Sequence, residues 1–172
     1  GINPYSIAFT ADAVANLPLD HFPMPMSYGP LWAIVSAVVM TLVGTSLLGA
    51  FLAFKLLLVA GWIGSLMVLR RISAEDSPLD RALAVVIFGW LPVGVAQIVA
   101  EGHNDIAMSF FALLWLYLLL RKKPTAPVAL AASALCKYTT APLFLIDIIY
   151  ARRQENMSWG SYLRRMLIPG AV

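Results

Sequence analysis

Long apolar runs separated by short polar links make up most of this chain, at about residues 29–69, 81–99, 105–120 and 125–150. A helix that crosses a membrane needs about 20 apolar residues. The pattern therefore predicts an all-α, polytopic transmembrane helical bundle. Residues 1–172 form one transmembrane domain, with an outer loop over 1–28 and membrane helices over 29–172. The outer loop is polar and proline-rich, "GINPYS" and then "ADAVANLPLDHFPMPMSYGP". Residues 12–19 predict a short helix lying in the membrane interface, and Pro23, Pro25 and Pro30 punctuate the entry to the first run. Tyr28 and Trp32 suit the aromatic belt at a membrane surface.

Charge orients the runs. Of the twelve Lys and Arg, ten stand at run ends: Arg70, Arg71, Arg81, Arg121, Lys122, Lys123, Arg152, Arg153, Arg164 and Arg165. Basic residues gather on the cytoplasmic side of membrane helices, so these ends are read as cytoplasmic. Residues 1–28 and 99–105 contain no Lys or Arg and are placed outside. The run 29–69 is too long for one crossing. Yet two crossings from outside would return outside, and the run ends in Arg70 and Arg71. Either part of it is re-entrant or the charge rule fails locally. The segment 125–150 has basic residues at both ends, which predicts two short helices turning near "CKYTTAP", with Lys137 near the outer leaflet.

Composition agrees. The chain is 60% hydrophobic and 12% charged, with a mean hydropathy of +0.81, against about 45–50% and about 25% for soluble domains. The pI of 9.2 comes from charges at run ends, so no nucleic-acid partner is implied. The single cysteine, Cys136, excludes a disulfide framework. The chain begins at Gly1 without a Met and stops within the apolar "MLIPGAV", so it is read as an internal piece of a larger membrane protein.

The sharpest polar feature is "EGHND", residues 101–105, set between two apolar runs. The bland reading is that Asn104 or Asp105 caps the helix that follows. A cap explains one polar residue, and four are present. Glu101, His103 and Asp105 offer donors that could hold a divalent metal ion, with a substrate phosphate completing the shell. Lys137 is the second anomaly, because an ionisable group inside an apolar run costs about 2.5–3.5 kcal/mol on insertion scales and is functional or paired by default. The alternative is a lysine whose head reaches the interface. Tyr138, Thr139 and Thr140 follow it and offer hydroxyls to a phosphate. Lys55 is read as snorkelling at a turn, and Asp147 as structural, reaching water or Arg152. Asp12, Asp20 and His21 are read as solvated loop residues. No Gly-rich nucleotide cradle is present, so a nucleotide-sugar donor has no support.

"GINPY", a proline-rich loop and "YGPL", then "EGHND", then "ALAASALCKYTTAPLFL", together resemble the GT-C superfamily of integral-membrane glycosyltransferases, closest to its bacterial and archaeal mannosyltransferase-like members. The resemblance covers roughly residues 1–150. It implies a multi-pass cell-membrane enzyme. Such an enzyme transfers a hexose, here mannose, with inversion, from a polyprenyl-phosphate-linked donor to a glycan or glycolipid acceptor on the outer face. Asn3, Tyr5 and Tyr28 would shape the outer-loop wall. Asp105, the catalytic candidate, would form a phosphate or metal locus with Glu101, His103 and Asn104, and Lys137 with Tyr138 would hold the carrier phosphate. The family's general base lies upstream of its "NPY" element, outside this chain. A transporter or flippase is the rival class. It should show inverted repeats, and no such symmetry is visible.

Overall fold

The long apolar run beginning at Pro30 is broken by a three-residue turn. In the computed structural model, which describes residues 28–96, 103–153 and 156–167, helix α1 (Pro30–Val43) starts with proline in its first turn and stops at Gly44. Gly44 has φ 68°, a conformation open to glycine at little cost. Ser46 then caps α2 (Leu47–Ile72), its hydroxyl accepting from the Gly49 N–H. The two helices run antiparallel. Trp32 packs on Phe54 with ring centroids 6.1 Å apart, and Val43 lies against Gly49.

At about 1.5 Å per residue, α2 is roughly 39 Å long and α1 only about 21 Å. With the 3₁₀ turn Ser73–Glu75, the stretch Leu47–Glu75 is long and apolar enough to cross a membrane. Among the described residues it alone meets that test; Pro30–Val43, Asp105–Leu120 and Ala126–Cys136 are apolar but shorter. The run is therefore one full-length helix preceded by a short one. Lys55 lies in the body of α2 over the Phe51 ring at 5.5 Å, not at a turn.

Helix α3 (Pro78–Trp90) opens with Ser77, whose hydroxyl accepts from the Asp80 N–H and donates to the Asp80 carboxylate. Arg81 donates to the Ser73 and Ala74 carbonyls, holding α3 against the end of α2. A single turn, α4 (Pro92–Val95), follows. Helix α5 (Asp105–Leu120) runs parallel to α2: Gly61 lies against Ile106, Gly64 against Phe110, and Ile72 near Tyr117. Helix α6 (Ala126–Cys136) returns antiparallel to α5 and ends at Lys137. After the 3₁₀ turn Tyr138–Thr140, α7 (Leu143–Arg153) comes back toward the basic end. The expected turn at "CKYTTAP" is therefore present. Amphipathic α8 (Trp159–Leu167) closes that end, its buried Arg165 donating to the carbonyls of Lys123 and Pro124.

Two apolar clusters hold the helices together. Trp115, Leu119 and Leu130 knit α5 to α6, with Phe144 and Tyr150 of α7 beside them. Trp32, Leu58 and Ile106 join α1, α2 and α5. Asp147 is structural as expected, but not by reaching water or Arg152. It is 1% exposed and accepts from Trp115 Nε1 at 2.7 Å and from the Tyr162 hydroxyl at 3.0 Å. Burial, then the Asp147 charge and hydrogen bond, push the Tyr162 hydroxyl above its ordinary pKa range.

Candidate functional site

Gly29 sets where α1 begins. Its N–H donates to the Cys136 carbonyl at 2.9 Å, and a Cβ there would stand 2.1 Å from the Leu135 carbonyl oxygen. Only glycine lets the "YGPL" backbone come so close to the last turn of α6. That contact places Tyr28 at the end of α6, beside the start of α5.

At this junction the two anomalies of the sequence meet. Lys137 Nζ lies 2.5 Å from Asp105 Oδ1. Lys137 leaves the helix in extended conformation (φ −156°, ψ 124°), and Asp105 opens α5, where a negative charge suits the helix dipole. The Lys137 side chain is 31% exposed and that of Asp105 36%, so the pair is partly shielded yet reachable by a ligand. His103 Nδ1 stands 3.9 Å from Asp105 Oδ2. Lys137 is therefore paired, and it does not merely snorkel.

Capping does not account for the neighbouring polar residues. Asn104 occupies the N-cap position of α5, but its side chain makes no capping bond. Asp105 is inside the helix, one position too late to cap it. Asn104 is 4% exposed, and its Oδ1 and Nδ2 have no hydrogen-bond partner among the described residues. Native structures rarely leave such buried groups unmade. Asn104 lines a cavity of about 220 Å³ together with Tyr28, Trp32 and Phe54. A second cavity, of about 160 Å³, has His103, Asp105 and Ser109 in its wall. An apolar groove of about 370 Å³, walled by Leu57, Gly61 and Phe110 among others, reaches Cys136, next to Lys137.

Other expected residues behave differently. Thr139 directs its hydroxyl to Met108 Sδ (3.0 Å), and the buried Thr140 hydroxyl lies 3.0 Å from that of Ser133. Both contacts brace the turn. Tyr138 is exposed. Asn3, Tyr5, Glu101 and the expected interfacial helix at 12–19 lie outside the described residues. Among the described residues no group of three acidic, His or Cys side chains is placed to hold a metal. Ser36 and Phe54 were not singled out from the sequence, and Trp32 only as an aromatic of the membrane interface. The signal was the i, i+4 spacing of Trp32 with Ser36 and of Phe54 with Leu58, which sets each pair on one helix face.

Comparison with curated proteins found no match, and neither did comparison with solved structures. A family model described as alpha-(1->6)-mannopyranosyltransferase, N-terminal domain, matches residues 1–152. The described residues in that stretch include α1 to α6 and the paired Asp105 and Lys137 at their junction. The chain belongs to the MptA/B family of alpha-(1->6)-mannopyranosyltransferases, membrane-bound glycosyltransferases of the GT-C type.

Proposed function

We propose that this chain carries the carrier-phosphate end of a site that moves mannose from a polyprenyl-phosphate donor to a glycan or glycolipid acceptor on the outer face of the cell membrane. One observation carries the reading: Cys136 and Ala107, which line an apolar groove, stand one and two positions along the chain from the paired Lys137 and Asp105. A prenyl chain is apolar and its phosphate is anionic, so one ligand would use both features. The Lys137 ammonium would donate to the phosphate oxygens as charge builds on them when the glycosidic bond breaks. Asp105 holds that ammonium in place before the donor arrives. The carboxylate that takes the acceptor proton is not assigned among the described residues.

A divalent ion at Glu101, His103 and Asp105 fits this arrangement poorly. The described donors number two, His103 and Asp105, and an ammonium already lies against the carboxylate.

The proposed topology is multi-pass. The end of α2 with Arg70 and Arg71, near Arg121, is cytoplasmic, and the Gly44–Ser46 turn at the far end of α2 is outside. In a chain lacking Cys136, an impermeant thiol reagent should label a cysteine at position 45 from outside and spare one at 122; the reverse pattern refutes this orientation.

The activity test uses the full-length protein purified into lipid. Given mannosyl polyprenyl phosphate and acceptor, it should release polyprenyl phosphate as product accumulates. Turnover with nucleotide-linked mannose and none with the lipid-linked donor would refute the proposal.

A further inference from the structure

Between α1 and α2 lies a recess of about 220 Å³, lined by Tyr28, Trp32, Ser36, Phe54, Leu58 and Asn104. It offers two kinds of surface. Trp32 and Phe54 present tilted rings 6.1 Å apart. Asn104, 4% exposed, also lines it, and its buried carboxamide has both oxygen and nitrogen unpartnered among the described residues. A buried amide left unmade is destabilising in itself, so a ligand able to accept and donate at once gains what the folded chain forgoes.

The chemistry of the walls narrows the ligand. A prenyl chain would bury the amide without satisfying it. A phosphate would find no cationic side chain among the described residues lining this recess. A pyranose ring matches both surfaces: its C–H face lies against aromatic rings, and two adjacent hydroxyls donate to and accept from one planar carboxamide. The volume is below the roughly 300–1,000 Å³ of sites that hold drug-sized ligands, which suits one sugar ring and no longer saccharide.

We infer that this recess is a hexose subsite, in which the Asn104 amide reads two adjacent hydroxyls of a mannosyl ring and Trp32 with Phe54 supply the apolar wall. Only the choice between donor ring and acceptor ring rests on the function proposed above. Ser36 and Tyr28, two hydroxyl-bearing residues, also line the recess.

The test is Asn104→Leu in the full-length protein in lipid nanodiscs. Leucine keeps the bulk and removes the polar atoms, so the variant should fold and melt no lower than the wild type. Loss of two hydrogen bonds should raise one KM about tenfold to a hundredfold. A rise for mannosyl polyprenyl phosphate assigns the donor ring, and a rise for the acceptor assigns the acceptor ring. If Asn104→Leu does not fold, Phe54→Leu should raise the same single KM. Two unchanged KM values overturn the inference. Should the wild type fail to use lipid-linked mannose, the proposed donor falls but the subsite does not. Methyl α-mannopyranoside must then raise the melting temperature of the wild type and not that of Asn104→Leu. Equal responses of the two proteins overturn it.

Discussion

Replacing Lys137 by Met separates a charge that acts on substrate from one that braces helices. Breaking a buried ion pair from one side costs about 3–5 kcal/mol, and an exposed pair contributes about 0.2–1 kcal/mol. About a third of each side chain reaches solvent here. Lys137→Met, which leaves Asp105 without its 2.5 Å partner, should therefore cost about 1–2 kcal/mol of stability. This replaces the expectation, natural for an unpaired lysine, that the variant would be as stable as the wild type or more so. The loss of turnover should be larger, about 10²–10³-fold, the usual effect of removing one electrostatic group that opposes developing charge. Adding Asp105→Asn should restore most of the stability, since no lone charge remains, without restoring activity. Polyprenyl-phosphate release gives the rates, and melting in nanodiscs gives the stabilities. A double variant that regains more than a tenth of wild-type turnover would make the pair a structural strut and refute the assignment.

Further outcomes follow from other contacts. Gly29→Ala forces a methyl group to within 2.1 Å of the Leu135 carbonyl oxygen; the start of α1 must shift, costing about 1–3 kcal/mol, and melting temperature and activity should fall together. Asp147→Leu orphans the Trp115 and Tyr162 donors and should lower stability by about 3 kcal/mol, while activity per folded molecule, measured on the fraction that survives gel filtration, stays near wild type. Exhaustive chelation should leave mannosyl transfer unchanged; loss that manganese or magnesium restores would reinstate a metal at His103 and Asp105.

Much of the helical layout was legible because it depends on local rules. Apolar runs marked the helices, Pro30, Pro78 and Pro127 sit in first turns, and opposed basic residues required the turn after Cys136. The division of the first run was not legible. Gly44 looks like any glycine in an apolar stretch until its positive φ is seen. The site was half legible: Asp105 and Lys137 were each anomalous, but they stand 32 positions apart and nothing local pairs them. The capping rule misled at Asn104, which has the right residue type at the right position and points its amide elsewhere. Trp32 and Phe54 carry no signal beyond their helix faces, because which faces meet is decided by how Gly29 docks α1 on α6.

Depth is the property that ties the pair to its proposed chemistry. Gly61 of α2 abuts Ile106, the residue after Asp105. Counting at about 1.5 Å per residue, the junction lies roughly 21 Å from the start of α2 and roughly 16 Å from its end. A hydrocarbon core is about 30 Å thick, so under the proposed topology the pair sits below the outer headgroups. At that depth a lone lysine is costly, and irregular backbone is tolerated only when enclosed by protein or lining a wet cavity. Both conditions are met because α5 and α6 are short: they end at the junction while the α1–α2 hairpin continues past it. On the proposed function, this arrangement would let a phosphate descend from the headgroup layer to a partly shielded ammonium. There, with fewer waters competing, one fixed charge stabilises a departing phosphate far more than it would at the membrane surface. The shortness of these helices is, on this argument, a requirement of the chemistry. Lengthening α6 by one helical turn before Cys136 would displace Lys137 by about 5.4 Å, breaking its contact with Asp105 and abolishing transfer even in a protein that folds.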